Sequence, residues 1–245
     1  MRPEFSEREF EFCFNAEFIR KYSGAVIGTP FILSQRLEAL LGFDVELKLR
    51  RGSIQYSLFL QHKVSQFISN LARRNWEIYG FHGGPYYYFY LKKSLQHNLL
   101  YNLRRSGEEV YYTAPLFYKI NDFTQHFVDE VVIDNSVFLD PSYARLIMDS
   151  DTHKISYDQH GTRAAFHSEI KEIKTFHNFK MLIQKLEMKK IDERYFTELL
   201  SMLKKGLTEV FDVELGLPGE FSQLSHVSQC VYLLRKYYKL QWILF

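Results

Sequence analysis

The chain has 245 residues, 46% of them hydrophobic and 24% charged, with 22 Phe, 17 Tyr, only 12 Gly and 6 Pro, and a formal net charge of +2. That composition suits a globular protein with a sizeable core; it excludes low-complexity or strongly charged disordered chains and restricts any nucleic-acid surface to a local basic patch. No run of about 18 apolar residues occurs, and the first residues carry Glu4, Glu7, Glu9 and Glu11 without an apolar leader core, so no membrane contact and a cytoplasmic location are expected.

Phe10, Phe12 and Phe14 alternate with Glu9, Glu11 and Cys13, a period of two that predicts a strand, and Asn15 is read as the cap of a short helix ending at Ser23-Gly24. Ser34 opens a predicted helix through Leu41 that carries Glu38, and Gly42 stands where a helix stop is expected. Residues 44–50 alternate strictly, with Val45, Leu47 and Leu49 on one face, so a half-buried strand opens on Asp44. After a polar turn the chain returns as YSLFLQHK, a second strand ending in Gln61-His62-Lys63.

Residues 65–75 read as a short helix or loop and GFHGGP at 80–85 as a turn. YYYFYLKK at 86–93 is a third strand. A helix follows from Ser94 to Gly107, with Leu95, Leu99, Leu100 and Leu103 inward, and EEVYYTAPLF is a fourth strand stopping near Pro115. A helix between these strands permits a right-handed crossover in a mixed sheet. Further on, 120–131 reads as helix, 132–147 as a short strand with a turn and a helical start, and 153–158 and 161–169 as strands. From 175 to the C-terminus helical spacing dominates, interrupted by GLPGE at 216–220.

Side chains two apart on a strand share a face, so Gln61 and Lys63 point together and His62 points away. If the strands pair, Asp44 comes near them, and a carboxylate, an amide oxygen and an ammonium converge with Glu38 close by. Phosphodiester hydrolysis needs phosphate charge neutralised and a water activated, which a hard, oxygen-ligated cation does. The plainer alternative makes Asp44 a turn residue, Glu38 a solvated helix residue, and Gln61 and Lys63 the outer face of an edge strand.

In this order, Glu38, Asp44 and Gln61-x-Lys63 on helix, strand and strand resemble the PD-(D/E)xK nuclease superfamily over about residues 33–117. The match is to the Mrr-type variant, with glutamine two before the lysine. The resemblance implies an α/β, restriction-endonuclease-like mixed sheet flanked by helices. The domains expected are an N-terminal extension at 1–32, a nuclease core at 33–170 and a helical region at 171–245. It implies a metal-dependent DNA endonuclease, such as the nuclease component of a defence or repair system. Asp44, Gln61 and Glu38 would serve Mg²⁺ or Mn²⁺, and Lys63 would orient the water. The alternative is an inactive nuclease-like domain that binds DNA or a protein partner.

Arg50-Arg51, Arg73-Arg74, Lys92-Lys93 and Arg104-Arg105 are candidate phosphate contacts, and Tyr86-Tyr87-Tyr88 a candidate stacking platform with about half of it in the core. Gln96 and Tyr101 are helix-borne candidates facing substrate or core, with a plain helix surface as the equal alternative. Leu233, Leu234, Tyr237, Tyr238 and Leu240 give the C-terminal region an apolar face for a homodimer, a partner subunit or the sheet; a scaffold working through these helices is a third reading. Cys13 and Cys230 form no metal spacing; two reduced thiols are expected, with one long-range disulfide as the alternative. The nine histidines show no HExxH pattern, and neither GxSxG nor a phosphate-binding glycine loop occurs.

Overall fold

A computed structural model describes residues 1–21, 31–32, 45–46, 57–69, 76–91, 94–149, 151–167, 170–185, 191–211, 222, 224–238 and 240–244. The described elements run α1 (Glu7–Lys21), β1 (Phe31–Ile32), β2 (Val45–Glu46), β3 (Ser57–His62), β4 (Gln66–Ile68), α2 (Trp76–His82), β5 (Tyr86–Leu91), α3 (Ser94–Arg105) and β6 (Glu109–Pro115). They continue with α4 (Ile120–Val128), β7 (Ser136–Leu139), a 3-10 turn (Pro141–Tyr143), β8 (His153–Asp158), β9 (Ala164–His167), β10 (Ile170–Ile173) and β11 (Thr175–Phe176). The last are α5 (Phe179–Ile183), α6 (Glu193–Phe211), α7 (His226–Leu233), a π-turn (Leu234–Tyr238) and β12 (Gln241–Leu244). The protein is mixed α/β. No described helix is long and apolar enough to cross a membrane.

The chain forms two units, Met1–Ser23 with His62–Ser94 and Tyr111–Leu186, and Gly24–Gln61 with Leu95–Val110 and Glu187–Phe245. These boundaries do not follow the linear division at 32 and 170, because each unit draws on three separate stretches of chain.

In the first unit, one antiparallel sheet runs β10-β9-β8-β5-β4. β7 pairs with β6 on one side and β11 on the other, again antiparallel. The core lies between these layers: Phe89 meets Tyr112 at 5.5 Å, and the Tyr157 and Tyr87 hydroxyls donate to the Pro115 and Leu116 carbonyls at 2.7 and 2.8 Å. β5 and β6 therefore lie in different sheets, and the crossover expected between them is not formed within one sheet.

Helix α1 corrects the strand expected at 10–14. Phe10, Phe14 and Phe18 recur at helical spacing and are fully buried, whereas Phe12 is 69% exposed. Its start is a capping box: the Glu9 N–H donates to Ser6 Oγ at 3.2 Å and the Ser6 N–H to Glu9 Oε2 at 2.7 Å. Asn15 lies inside the helix rather than capping one. Two residues later the buried Glu17 carboxylate accepts from the Val132 and Ile133 N–H groups at 2.6 and 3.3 Å and pairs with Lys21 at 2.8 Å. This satisfies backbone donors that would otherwise be buried without partners.

The second unit holds α6, α7 and the π-turn, with β12 antiparallel to β3 and β1 to β2. β12 replaces the last turn of the helix expected to run to residue 245. Leu233, Leu234, Tyr238 and Leu240 are buried within the chain, so most of the face offered above to a dimer partner is spent internally. Leu95, expected inward, is 45% exposed, while Leu99, Leu100 and Leu103 are buried as expected. Residues 65–75 contribute strand β4, and β10 and β11 are strands in a region whose composition suggested helix. The turn expected over 80–85 begins only after α2, where Gly83 adopts φ 70°. Both cysteines are free thiols; burial pushes the Cys230 thiol up to about 12.

Candidate functional site

Of the residues expected at the metal site, Gln61 and Lys63 are described. Glu38, Asp44, Arg50, Arg51, Arg73, Arg74, Lys92 and Lys93 lie outside the described residues, as do all of the helix expected at 34–41 and most of the strand at 44–50. β3 is apolar until its end, Leu58, Phe59 and Leu60 being fully buried, and it delivers Gln61 with 3% exposure. His62 turns the opposite way, as alternation requires. Its ring packs edge-on against Phe10 at 5.7 Å and Phe14 at 5.0 Å. Lys63 follows the strand: its N–H donates to the Thr113 carbonyl at 2.8 Å and its ammonium lies 3.5 Å from Glu7 Oε1 of α1.

The remaining expected contacts are used internally. Gln96 donates to the Tyr238 carbonyl at 3.3 Å, and Tyr101 lies beside His97. Arg104 bonds the Glu108 carbonyl at 3.0 Å and pairs with Glu109 at 3.3 Å. Of the tyrosine run, Tyr86 and Tyr87 are buried, Tyr87 stacked on Tyr157 at 5.3 Å, and Tyr88 is half-buried. Comparison of the chain with family models, curated proteins and solved structures returns no match. The site is therefore argued from its own residues.

A second cluster, which the sequence reading did not assemble, lies on the first unit's five-stranded sheet. Ser156 of β8 is fully buried; its Oγ lies 2.6 Å from His82 Nε2 at the end of α2 and 2.5 Å from His167 Nε2 on β9. One hydroxyl donates a single proton, so it donates to one imidazole and accepts from the other, which requires opposite tautomers in the two rings. Both Nδ1 atoms are buried without a hydrogen-bond partner. Burial holds both histidines neutral, down to about 4, reinforced at His82 by Arg163 against an opposing Asp158, and at His167 by Lys154 and by His82 itself.

Asp158 is fixed in the β8–β9 turn, accepting from the Thr162 N–H and hydroxyl at 2.6 Å each. Among the described residues no three His, Cys, Asp or Glu side chains gather as a metal site. The available signal was the strand HKISYD, which sets Lys154, Ser156 and Asp158 on one face against Ile155 and Tyr157 on the other. His82 was beyond reach, because 74 residues separate it from Ser156.

Proposed function

We propose that the protein is a metal-dependent DNA endonuclease with a restriction-endonuclease-like core, its chemistry carried by Asp44, Gln61 and Lys63. The observation supporting this reading is the strand end at Gln61-His62-Lys63. It carries an amide and an ammonium two residues apart, the spacing of the resemblance, while the His62 ring packs on Phe10 and Phe14 and the Lys63 ammonium lies beside Glu7 of the same helix.

Oxygen donors from Asp44 and Gln61 suit Mg²⁺ or Mn²⁺, which when bound would neutralise phosphate charge and acidify a water. Lys63 orients that water and stabilises negative charge developing on the phosphate. Its pairing with Glu7 holds the ammonium before substrate arrives. Glu38 serves through water.

The test is cleavage of plasmid and linear DNA in Mg²⁺ or Mn²⁺. Asp44→Ala and Lys63→Ala should each lower the rate by about 100-fold or more, as loss of a charge-stabilising group does, with the circular dichroism unchanged. Cleavage that survives both changes refutes the mechanism. A neutral amide in place of a carboxylate favours a second reading, a nuclease-like domain that binds DNA without cutting it. Wild-type binding without cleavage would select that reading.

A further inference from the structure

The register of the first unit's sheet puts Tyr86, Tyr88 and Tyr90 of β5 on one face with Lys154, Ser156 and Asp158 of β8, since Tyr86 pairs with Asp158, Tyr88 with Ser156 and Tyr90 with Lys154. α2 covers one end of this strip. It has seven residues, too few for a helix to stand alone, so its contacts hold it in place. The His82 ring stacks on Tyr86 at 5.4 Å with 25° between planes, and Arg163 lies over the Phe81 ring at 4.4 Å. Among the described residues one side-chain hydrogen bond joins α2 to the sheet, that of His82 Nε2 with Ser156 Oγ at 2.6 Å. The chain leaves α2 through Gly83-Gly84, where Gly83 has φ 70° and a Cβ on either glycine would meet nothing within 4 Å. The backbone there turns without disturbing packed side chains.

The Ser156 contact is built for neutral rings. One imidazole donates to Ser156 Oγ through Nε2 and the other accepts from it. A proton added to the first goes on Nδ1, which is buried without an acceptor; a proton added to the second goes on Nε2 and displaces the hydroxyl's own. Either way a buried cation holds fewer hydrogen bonds than water would give it. The groups that face the two rings are Tyr86 from β5, Lys154, Ser156 and Asp158 from β8, and Arg163 from the β8–β9 turn. Arg163 opposes a proton at His82 and Lys154 one at His167, while the Asp158 carboxylate, which favours one at His82, accepts from the Thr162 N–H and hydroxyl and from the Arg163 N–H.

We propose that α2 is an acid-released cover, latched to the sheet by His82 on Ser156 and hinged at Gly83-Gly84, which swings off Tyr86 and Ser156 when His82 takes up a proton. Release returns His82 from about 4 to its ordinary 6.5, so the open fraction rises by about 30-fold between about pH 7.5 and 5 through this ring alone. None of these groups belongs to the metal site proposed above.

The test is hydrogen exchange by mass spectrometry on the full chain without denaturant, at these two pH values, with rates divided by the intrinsic rate at each. Amides of α2 should lose about 30-fold in protection toward acid, and at both pH values should exchange at least about tenfold faster than those of β8, because the cover opens while the sheet stays formed. His82→Gln keeps an N–H for Ser156 but does not titrate, and its α2 protection should change by less than about threefold. Ser156→Ala removes the latch and should lower α2 protection at neutral pH by at least about fivefold. Circular dichroism reports whether each variant folds.

A wild-type change in α2 of less than about threefold, or α2 protection equal to that of β8 at both pH values, overturns the cover. An equal acid response in folded His82→Gln, or wild-type α2 protection in folded Ser156→Ala, overturns the latch. Should neither variant fold, the wild-type comparison of α2 with β8 decides alone.

Discussion

Mild acid should loosen the first unit through His82 and His167. In the folded chain both imidazoles are held neutral down to about 4, against 6.5 in the unfolded chain. The groups facing them are Lys154 and Arg163, which oppose a proton, and Asp158, which favours one at His82 but is committed to the turn. Because the folded values are depressed, the unfolded state takes up protons first. Stability is complete above the ordinary histidine value and falls as the pH drops from there toward about 4. Linkage makes this loss about 2 kcal/mol per histidine between about pH 7.5 and 5, or about 4 kcal/mol for the pair. That is a large share of the roughly 5–15 kcal/mol that holds a domain together.

Urea titrations at these two pH values, read by hydrogen exchange in peptides covering β8 and β9, confine the signal to the unit concerned. A His82→Gln/His167→Gln variant keeps amides in place of the Nε2 atoms and removes the titration. It should be less stable than wild type at neutral pH yet nearly flat toward acid. A wild-type loss below about 1 kcal/mol, or an equal loss in the double variant, refutes the reasoning.

Two further outcomes test the packing. A Cβ on Gly206 would lie 2.5 Å from the Tyr238 hydroxyl, which donates to the Leu203 carbonyl at 2.9 Å. Gly206→Ala should therefore destabilise by about 1–3 kcal/mol despite alanine's better helix propensity, and adding Tyr238→Phe should recover part of the loss in chemical denaturation. Glu17→Ala strands the Val132 and Ile133 N–H groups and the Lys21 ammonium, so a loss of about 3 kcal/mol or more in urea is expected; a loss below about 1 would show that Glu17 does not satisfy them.

What the sequence disclosed was local. β3, β5, α3, β6 and β8 fall where their punctuation and periodicity set them, as at Ser94 and Gly107, which bracket α3. The first helix was misread because phenylalanines at 10, 12 and 14 satisfy a period of two while those at 10, 14 and 18 satisfy a helix. The Ser6–Glu9 box resolves the ambiguity in favour of the helix. The C-terminal QWIL is apolar enough for either state, and its pairing with β3 decides for strand. Sheet membership was not legible at all: periodicity tells which face a residue takes and not which strand lies beside it. At the candidate site, alternation alone does not separate the residues, since Gln61 and His62 are both buried and Lys63 reaches Glu7 of the helix that His62 packs on, an ion pair joining residues 56 apart in sequence that no local pattern relates.

The strip of sheet that carries Tyr86, Tyr88 and Tyr90 shows why one polar face has two behaviours. α2 closes one end, so the groups there must satisfy one another without solvent. Ser156 can do this for two imidazoles at once only while both are neutral and of opposite tautomer. That end is rigid and vulnerable to acid. Toward Tyr90 and Lys154 the same alternation continues with the side chains half-buried, the Tyr88 and Tyr90 rings meeting edge to face at 5.4 Å and the Lys154 ammonium lying 5.7 Å from the Tyr88 ring. A single pattern, aromatic and polar residues at every second position, therefore yields a sealed hydrogen-bond relay where a helix lies over it. Where the side chains are half-buried, it yields a row of ring contacts instead.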